Sequence, residues 1–283
     1  MTPVEFETDD KVQVRGEVFE HENPEGVSII HGATGVPMGY YRSFAKWLCD
    51  ERRHHVLIYS YRDSEIKDIA KLRASTCDMR DWGVHDQSAA LDYVLNAFPD
   101  LPVHTIGHSL GGMCLPYHKN ADKVQSHVAV NSGPAYWRNH PWHFIPKVIL
   151  FWFVLGPVLA RILGYLPGSL FGVKTNLPPE VYWQWRRWCS NPDFFEIDWN
   201  SRMEPPDFSR VSCSVSLVGT ADDDMIPPYQ VRKLAKYFPN ASIAFKSINP
   251  TAIGLKSIGH IGIFAPRCEV AWPAIIDQGK QLG

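Results

Sequence analysis

Residues 103–112, Val103-His104-Thr105-Ile106-Gly107-His108-Ser109-Leu110-Gly111-Gly112, constrain the fold more than any other stretch of the chain. A short β-branched and apolar run enters Gly-x-Ser-x-Gly, and a helix-compatible segment follows. Glycines two residues to either side of a serine have a steric reason. A reversal tight enough to join strand and helix there brings neighbouring backbone against both positions, where a Cβ would collide. The same reversal strains Ser109 and leaves its hydroxyl exposed at the tip of a sheet, beside the N–H of the next residue. Chance places the bare five-residue pattern in roughly one chain in ten of this length. The flanking sequence therefore has to decide whether the turn is real.

Residues 4–21 alternate apolar and polar around Asp9-Asp10, which predicts an antiparallel hairpin. Val27-Ser28-Ile29-Ile30 reads as a buried strand and runs into His31-Gly32-Ala33-Thr34-Gly35. A helix from about Tyr40 to Arg52, a strand at His55–Tyr59 and a helix from about Met79 to Phe98 lead to the strand at 103–107. His127–Val130 forms the next strand and ends in Asn131-Ser132-Gly133-Pro134. Short apolar strands alternating with amphipathic helices predict an α/β class, a mostly parallel sheet flanked by helices.

The alternation then breaks. Residues 135–205 hold seven of the ten tryptophans and the apolar run Val148–Ala160, bounded by Lys147 and Arg161. That run is shorter than the roughly 20 residues a membrane span needs. The expected organisation is a core of residues 1–134 and 206–283, with 135–205 a helical, aromatic-rich insert covering the core and lining a pocket. The insert could also touch a membrane surface or form a homodimer contact. Alternation resumes at Ser214–Gly219, passes Thr220-Ala221-Asp222-Asp223-Asp224 into a helix at Tyr229–Phe238, and continues through a strand at Ser242–Lys246. Gly259-His260-Ile261-Gly262 and a terminal helix from about Cys268 close the chain.

With 28 basic and 30 acidic residues the formal net charge is −2, so nothing draws the chain to nucleic acid. Six cysteines lie scattered without a CxxC pair, and residues 1–20 lack an apolar signal core. Both point to a cytoplasmic protein with reduced thiols. The histidines of His140-Pro141-Trp142-His143 have no carboxylate or cysteine at ligand spacing, and no metal or other cofactor is expected.

The order Ser109, an acid after a later strand, then His260 near the end resembles the α/β-hydrolase superfamily, closest to its lipase, carboxylesterase and serine-peptidase-like branch. It is similar there to uncharacterised bacterial hydrolases, and the resemblance spans nearly the whole chain. It implies a catalytic triad on a nucleophile elbow, with Ser109 as nucleophile, His260 as base and an aspartate orienting the imidazole. Asp222 lies three residues after Gly219, the spacing the family usually shows, and is the first choice. Asp223 lies four before Pro227, which also matches, and is the alternate; Asp224 is expected to be solvated or to cap the next helix. The backbone N–H groups of Ala33 and Leu110 are the implied oxyanion hole, the latter helped by a helix dipole. The family's frequent Arg-Gly-x-Gly-x-Ser loop is here Arg62-Asp63-Ser64-Glu65, without the glycines.

The resemblance implies hydrolysis of a small-molecule carboxylic ester through an acyl-enzyme, and the aromatic insert suggests an apolar acyl or aryl group. The same site could serve an acyltransferase, or the fold could have become a non-catalytic binding protein.

Overall fold

The computed structural model describes residues 1–277; the last six residues of the 206–283 core stretch lie outside the described residues. Eight strands form one sheet in the order β1-β2-β4-β3-β5-β6-β7-β8. They are β1 (Thr2–Glu7), β2 (Gln13–Phe19), β3 (Gly26–His31), β4 (His54–Tyr59), β5 (Val103–His108), β6 (Val124–Val130), β7 (Ser214–Thr220) and β8 (Ser242–Ile248). The hairpin β1–β2 is antiparallel and joins β4 antiparallel, while β3 to β8 run parallel. Burial follows from topology. The edge strand β1 is mostly exposed, whereas β3, covered on both faces, is buried throughout, as its continuous Gly-Val-Ser-Ile-Ile-His run requires.

The two faces of the sheet bury separate cores. Ile30, Ile58, Ile106 and Val128 pack against Phe44 and Leu48 of helix Arg42–Arg52 and against Trp272 of helix Trp272–Ile276. Ile29, Leu57 and Ala129 face the other way, toward Trp82, Leu91 of helix Gln87–Ala97 and Val231 of helix Pro228–Lys233. Residues 81–86, expected within the helix from about Met79 to Phe98, wind as a π-helix, and Asp86 is fully buried there against Arg62.

Parallel register puts the strand ends at one edge. His31 pairs with Gly107, and Gly107 with Ala129, so the loops after β3, β5 and β6 open side by side. Residues 131–213 then leave the sheet as helices Ile145–Leu163 and Pro179–Cys189, joined and followed by short turns. This is the stretch where the sequence alternation fails.

The apolar run is part of a longer helix than its charged boundaries suggest, 19 residues from Ile145 to Leu163. Lys147 and Arg161 sit within it, and both reach the surface. Residues 150–154 are π-helical, and Pro157 supplies a cause. Its missing N–H leaves Trp152 O, five residues upstream, without a backbone donor, and Arg186 Nε donates there at 2.6 Å; on the same turn Tyr182 Oη donates to Phe151 O at 3.1 Å.

Candidate active site

Ser109 follows β5 with φ +54°, the left-handed region that non-glycine residues seldom adopt. The surrounding glycines are obligatory. A Cβ on Gly107 would fall 2.2 Å from Gly111 O, and one on Gly111 would fall 2.2 Å from His31 O of β3. The expected helix behind the elbow is only a 3-10 turn, Ser109–Gly112, followed by another at Leu115–Tyr117. Two consecutive glycines and Pro116 prevent propagation. The Leu110 N–H still opens a helical turn without an intrahelical acceptor, but a long helix dipole does not stand behind it.

His260 stands on a one-turn helix, Gly259–Gly262, in the connection after β8. Its Nε2 lies 3.1 Å from Ser109 Oγ, and its Nδ1 lies 2.7 Å from Asp223 Oδ2. The tautomer consistent with both has the serine hydroxyl donating to Nε2 and Nδ1–H donating to the carboxylate. Asp223 is 2% exposed, and its other oxygen accepts N–H bonds from Met225 and Ile226 at 2.8 and 2.9 Å.

The preference for Asp222 is thereby corrected in favour of the alternate. Asp222 turns to the outside of the loop and accepts from the N–H groups of Ile258 and Gly259, at 2.8 and 3.0 Å. It holds the backbone just before His260, one covalent step from the ring that Asp223 holds. Asp224 meets a second expectation by its solvated alternative, its side chain 44% exposed and not capping the next helix. Its carboxylate also lies 3.0 Å from His143 Nε2, tying the acid loop to the helical segment.

Ala33 corrects a third. Its N–H donates to Tyr41 Oη at 2.8 Å and is not free in this structure. Tyr41 is fully buried, and burial pushes its phenol far above the ordinary range, so the hydroxyl stays protonated. That hydroxyl lies 2.9 Å from His108 Nδ1, while His108 Nε2 lies 3.0 Å from the carbonyl oxygen of His260. Burial first, and the neighbouring His260 second, lower the His108 pKa to about 3, so the ring is neutral. A single direction of donation satisfies the chain, from Ala33 N–H to Tyr41 O–H to His108 Nδ1, then from Nε2–H to the His260 carbonyl.

Asn131 completes this support. At φ +47° it leaves β6, donates from Nδ2 to the His260 carbonyl at 3.0 Å, and accepts the Thr220 N–H on Oδ1 at 2.9 Å. Sequence reasoning noticed Asn131 only as the residue where the strand His127–Val130 ends and did not single out Tyr41 or Thr220. A polar residue directly after the apolar Val128-Ala129-Val130 end of β6 was the available signal at Asn131.

The loop lacking the family's glycines has its own lock. Arg62 is buried and donates to Asp86 at 2.7 Å through Nε and to Asp10 at 2.8 Å through a terminal nitrogen, while Asp63 takes φ +56° unaided by glycine. His31, beneath the oxyanion loop, contacts Tyr59 Oη at 2.6 Å and is held neutral by burial. Asp9, Asp10 and His85 bring ligand atoms within 4.8 Å of one another at the surface. Arg62 and His85 already engage those two carboxylates, so the cluster reads as an ion-pair network.

A cavity of about 400 Å³ lies under the helical segment, lined by Phe144, Val148, Trp152, Phe171 and Trp185 and by Met225 of the acid loop. Val173, on the same wall, packs against Gly35, where a Cβ would come within 2.2 Å of it. The cavity is thus walled by Met225 of the acid loop and by a residue that packs on the loop after β3. A larger polar groove of about 670 Å³ lies at the opposite, N-terminal edge of the sheet around His54 and His104, remote from Ser109.

The site thus sets a strained serine on a strand-to-turn junction against an imidazole and a buried carboxylate on later elements. The model of the alpha/beta hydrolase family matches residues 29–271. The chain belongs to the alpha/beta hydrolase family. Its fold is similar to that of a thermophilic esterase from Thermogutta terrifontis, at 12% identity over 97% of each chain with a TM-score of 0.57. It is also similar to an esterase from Pyrococcus furiosus, at 14% identity over 97% of this chain and 88% of that one, TM-score 0.55. A hydrolase from Oleispira antarctica matches at 15% identity over 92% of each chain, TM-score 0.54. No curated protein matches in sequence. The family match makes the chain an alpha/beta hydrolase, and these neighbours share its fold.

Proposed function

We propose that this hydrolase cleaves carboxylic esters through an acyl-enzyme on Ser109. The observation that carries the reading is the continuous relay from Ser109 Oγ through His260 to Asp223, with separations of 3.1 and 2.7 Å. Ser109 Oγ attacks the ester carbonyl while His260 Nε2 takes its proton. Asp223 fixes the tautomer and stabilises the imidazolium that forms. The oxyanion is stabilised by the Leu110 N–H. His260 then returns its proton to the leaving alkoxide, and water, activated by the same nitrogen, hydrolyses the acyl-enzyme. Residues 135–205 act as a lid, and the cavity beneath them takes an apolar acyl or aryl group.

Six free cysteines, five of them buried, suit a reducing, cytoplasmic setting. Labelling by a fluorophosphonate tests the nucleophile: wild type should label and Ser109→Ala should not. A screen of nitrophenyl esters of increasing chain length should show turnover lost in the same variant. No labelling of the wild type would turn the reading toward a hydrolase-fold binding protein.

A further inference from the structure

We propose that the helix Ile145–Leu163 docks on an anionic lipid surface, lying in the interface plane with its solvent-facing side toward the lipid. Two apolar stripes run along this helix at a spacing of four. Val148, Trp152, Gly156 and Ala160 are buried against the protein, whereas Leu150, Val154, Val158 and Ile162 are exposed, Ile162 at 74%. A helix apolar on both faces has no reason to stand half in water. The patch continues beyond it through Trp142, 84% exposed, and Leu170. Of the fourteen exposed large apolar side chains among the described residues, nine fall between Trp142 and Leu170, which makes this one patch and not scatter.

Charge selects the occupant. Residues 133–179 contain no aspartate or glutamate, while Arg138, Lys147, Arg161 and Lys174 are all exposed, in a chain of formal net charge −2. Arg138 lies over the Trp137 ring, which meets Phe153 of the exposed face edge-on at 5.5 Å, so cation and apolar surface are contiguous. A basic rim around an apolar, tryptophan-bearing face suits anionic headgroups above acyl chains. A symmetric contact with a second copy would bring the same cations together. By length the helix could cross a bilayer, but its buried stripe is packed on the folded protein, which leaves it lying flat.

The test is co-sedimentation of the full chain with vesicles of phosphatidylcholine alone or with phosphatidylglycerol, and it stands apart from whether the enzyme cleaves esters. The wild type should pellet with the anionic vesicles, less so at high salt, and remain largely free of the neutral ones. Val158→Gln with Ile162→Gln should weaken partition at least tenfold, and Arg161→Gln about fivefold. None of these side chains lines the cavity, so turnover of a short soluble ester and elution volume should match the wild type and show the variants folded. A wild type that stays in the supernatant, or binds neutral vesicles equally, overturns the proposal. So does a wild-type dimer that the double variant dissociates, which would assign the face to a second copy.

Discussion

The two sides of the candidate site are built from opposite materials. Below Ser109, the ends of β3, β5, β6 and β7 are fixed by buried polar groups, each with a named partner: Tyr41, His108, Asn131, Thr220 and Asp223. Above it, the part of residues 135–205 around the cavity is packed by rings, while buried Asp198, accepting from Gln184, Arg187 and Trp188, anchors helix Pro179–Cys189 outside the cavity lining. Trp152 stands 4.9 Å from Trp185 and 5.9 Å from Tyr182, and Phe151 4.8 Å from Phe171. Hydrogen bonds are directional, and a buried donor left unpaired costs its desolvation, so the lower side specifies one position for the imidazole. Aromatic packing is broad and tolerant in comparison, and suits a surface that must admit a substrate. Precision is placed where the proton moves, and adaptability where the acyl group enters.

The sharpest way to break that division is at the two adjacent aspartates. Asp223→Asn should lower turnover by about 10⁴, because it no longer holds the Nδ1–H tautomer or balances the imidazolium. Asp222→Asn should leave turnover within about tenfold, since it loses one of two backbone bonds and no contact to the ring. Steady-state kinetics on one ester would decide, and an inverted pair of results would return the acid to Asp222.

A second expectation concerns acid. His108 and His118 are held near a pKa of about 3 and His127 near about 4, all by burial first. In the unfolded chain each takes up a proton as pH falls through about 6.5, whereas the folded chain does not, so stability is complete above that value. It should be lost on acidification at about 1 kcal/mol per histidine per pH unit, until the folded values are reached. Urea midpoints from pH 7 to 4.5 measure this; a flat series would mean that these rings are charged in the fold. All three lie on the polar lower side, so the acid sensitivity should belong to the core.

Tyr41 probes the same side more finely. Tyr41→Phe leaves the Ala33 N–H and His108 Nδ1 without their shared partner and should cost about 1–3 kcal/mol. Turnover should change less than tenfold. A gain of a hundredfold would show that Ala33 reaches the oxyanion once released, since one such donor is worth about 10²–10³.

What the sequence disclosed tracks how local the cause is. The strands were legible because buried runs such as Val27–Ile30 can do little else, and the elbow because its glycines answer to sterics within five residues. Asp222 and Asp223 were not separable, because a turn decides which neighbour faces inward and the deciding partners lie 36 and 37 residues away. Asn131 and Tyr41 were further out of reach, their partners Gly259–His260 and His108 lying on other elements. The helix Ile145–Leu163 outran its expected boundaries because Lys147 and Arg161 extend to solvent from within it.

The smallest effect tests the upper side at its π-helical turn, among the rings around the cavity. Arg186 donates to Trp152 O, a carbonyl that the π-helical turn would pass to residue 157 were it not proline. Arg186→Met keeps the apolar stem over Phe153 but orphans that carbonyl, and should cost about 1 kcal/mol. Pro157→Ala restores an N–H where one is missing. In the double variant the carbonyl has a backbone donor again, so the cost of Arg186→Met should shrink toward zero, a coupling readable in a double-mutant cycle of urea unfolding. Independent, additive losses would mean that the guanidinium acts through its position over the Phe153 ring alone, and that the π-helical turn owes nothing to this directional bond.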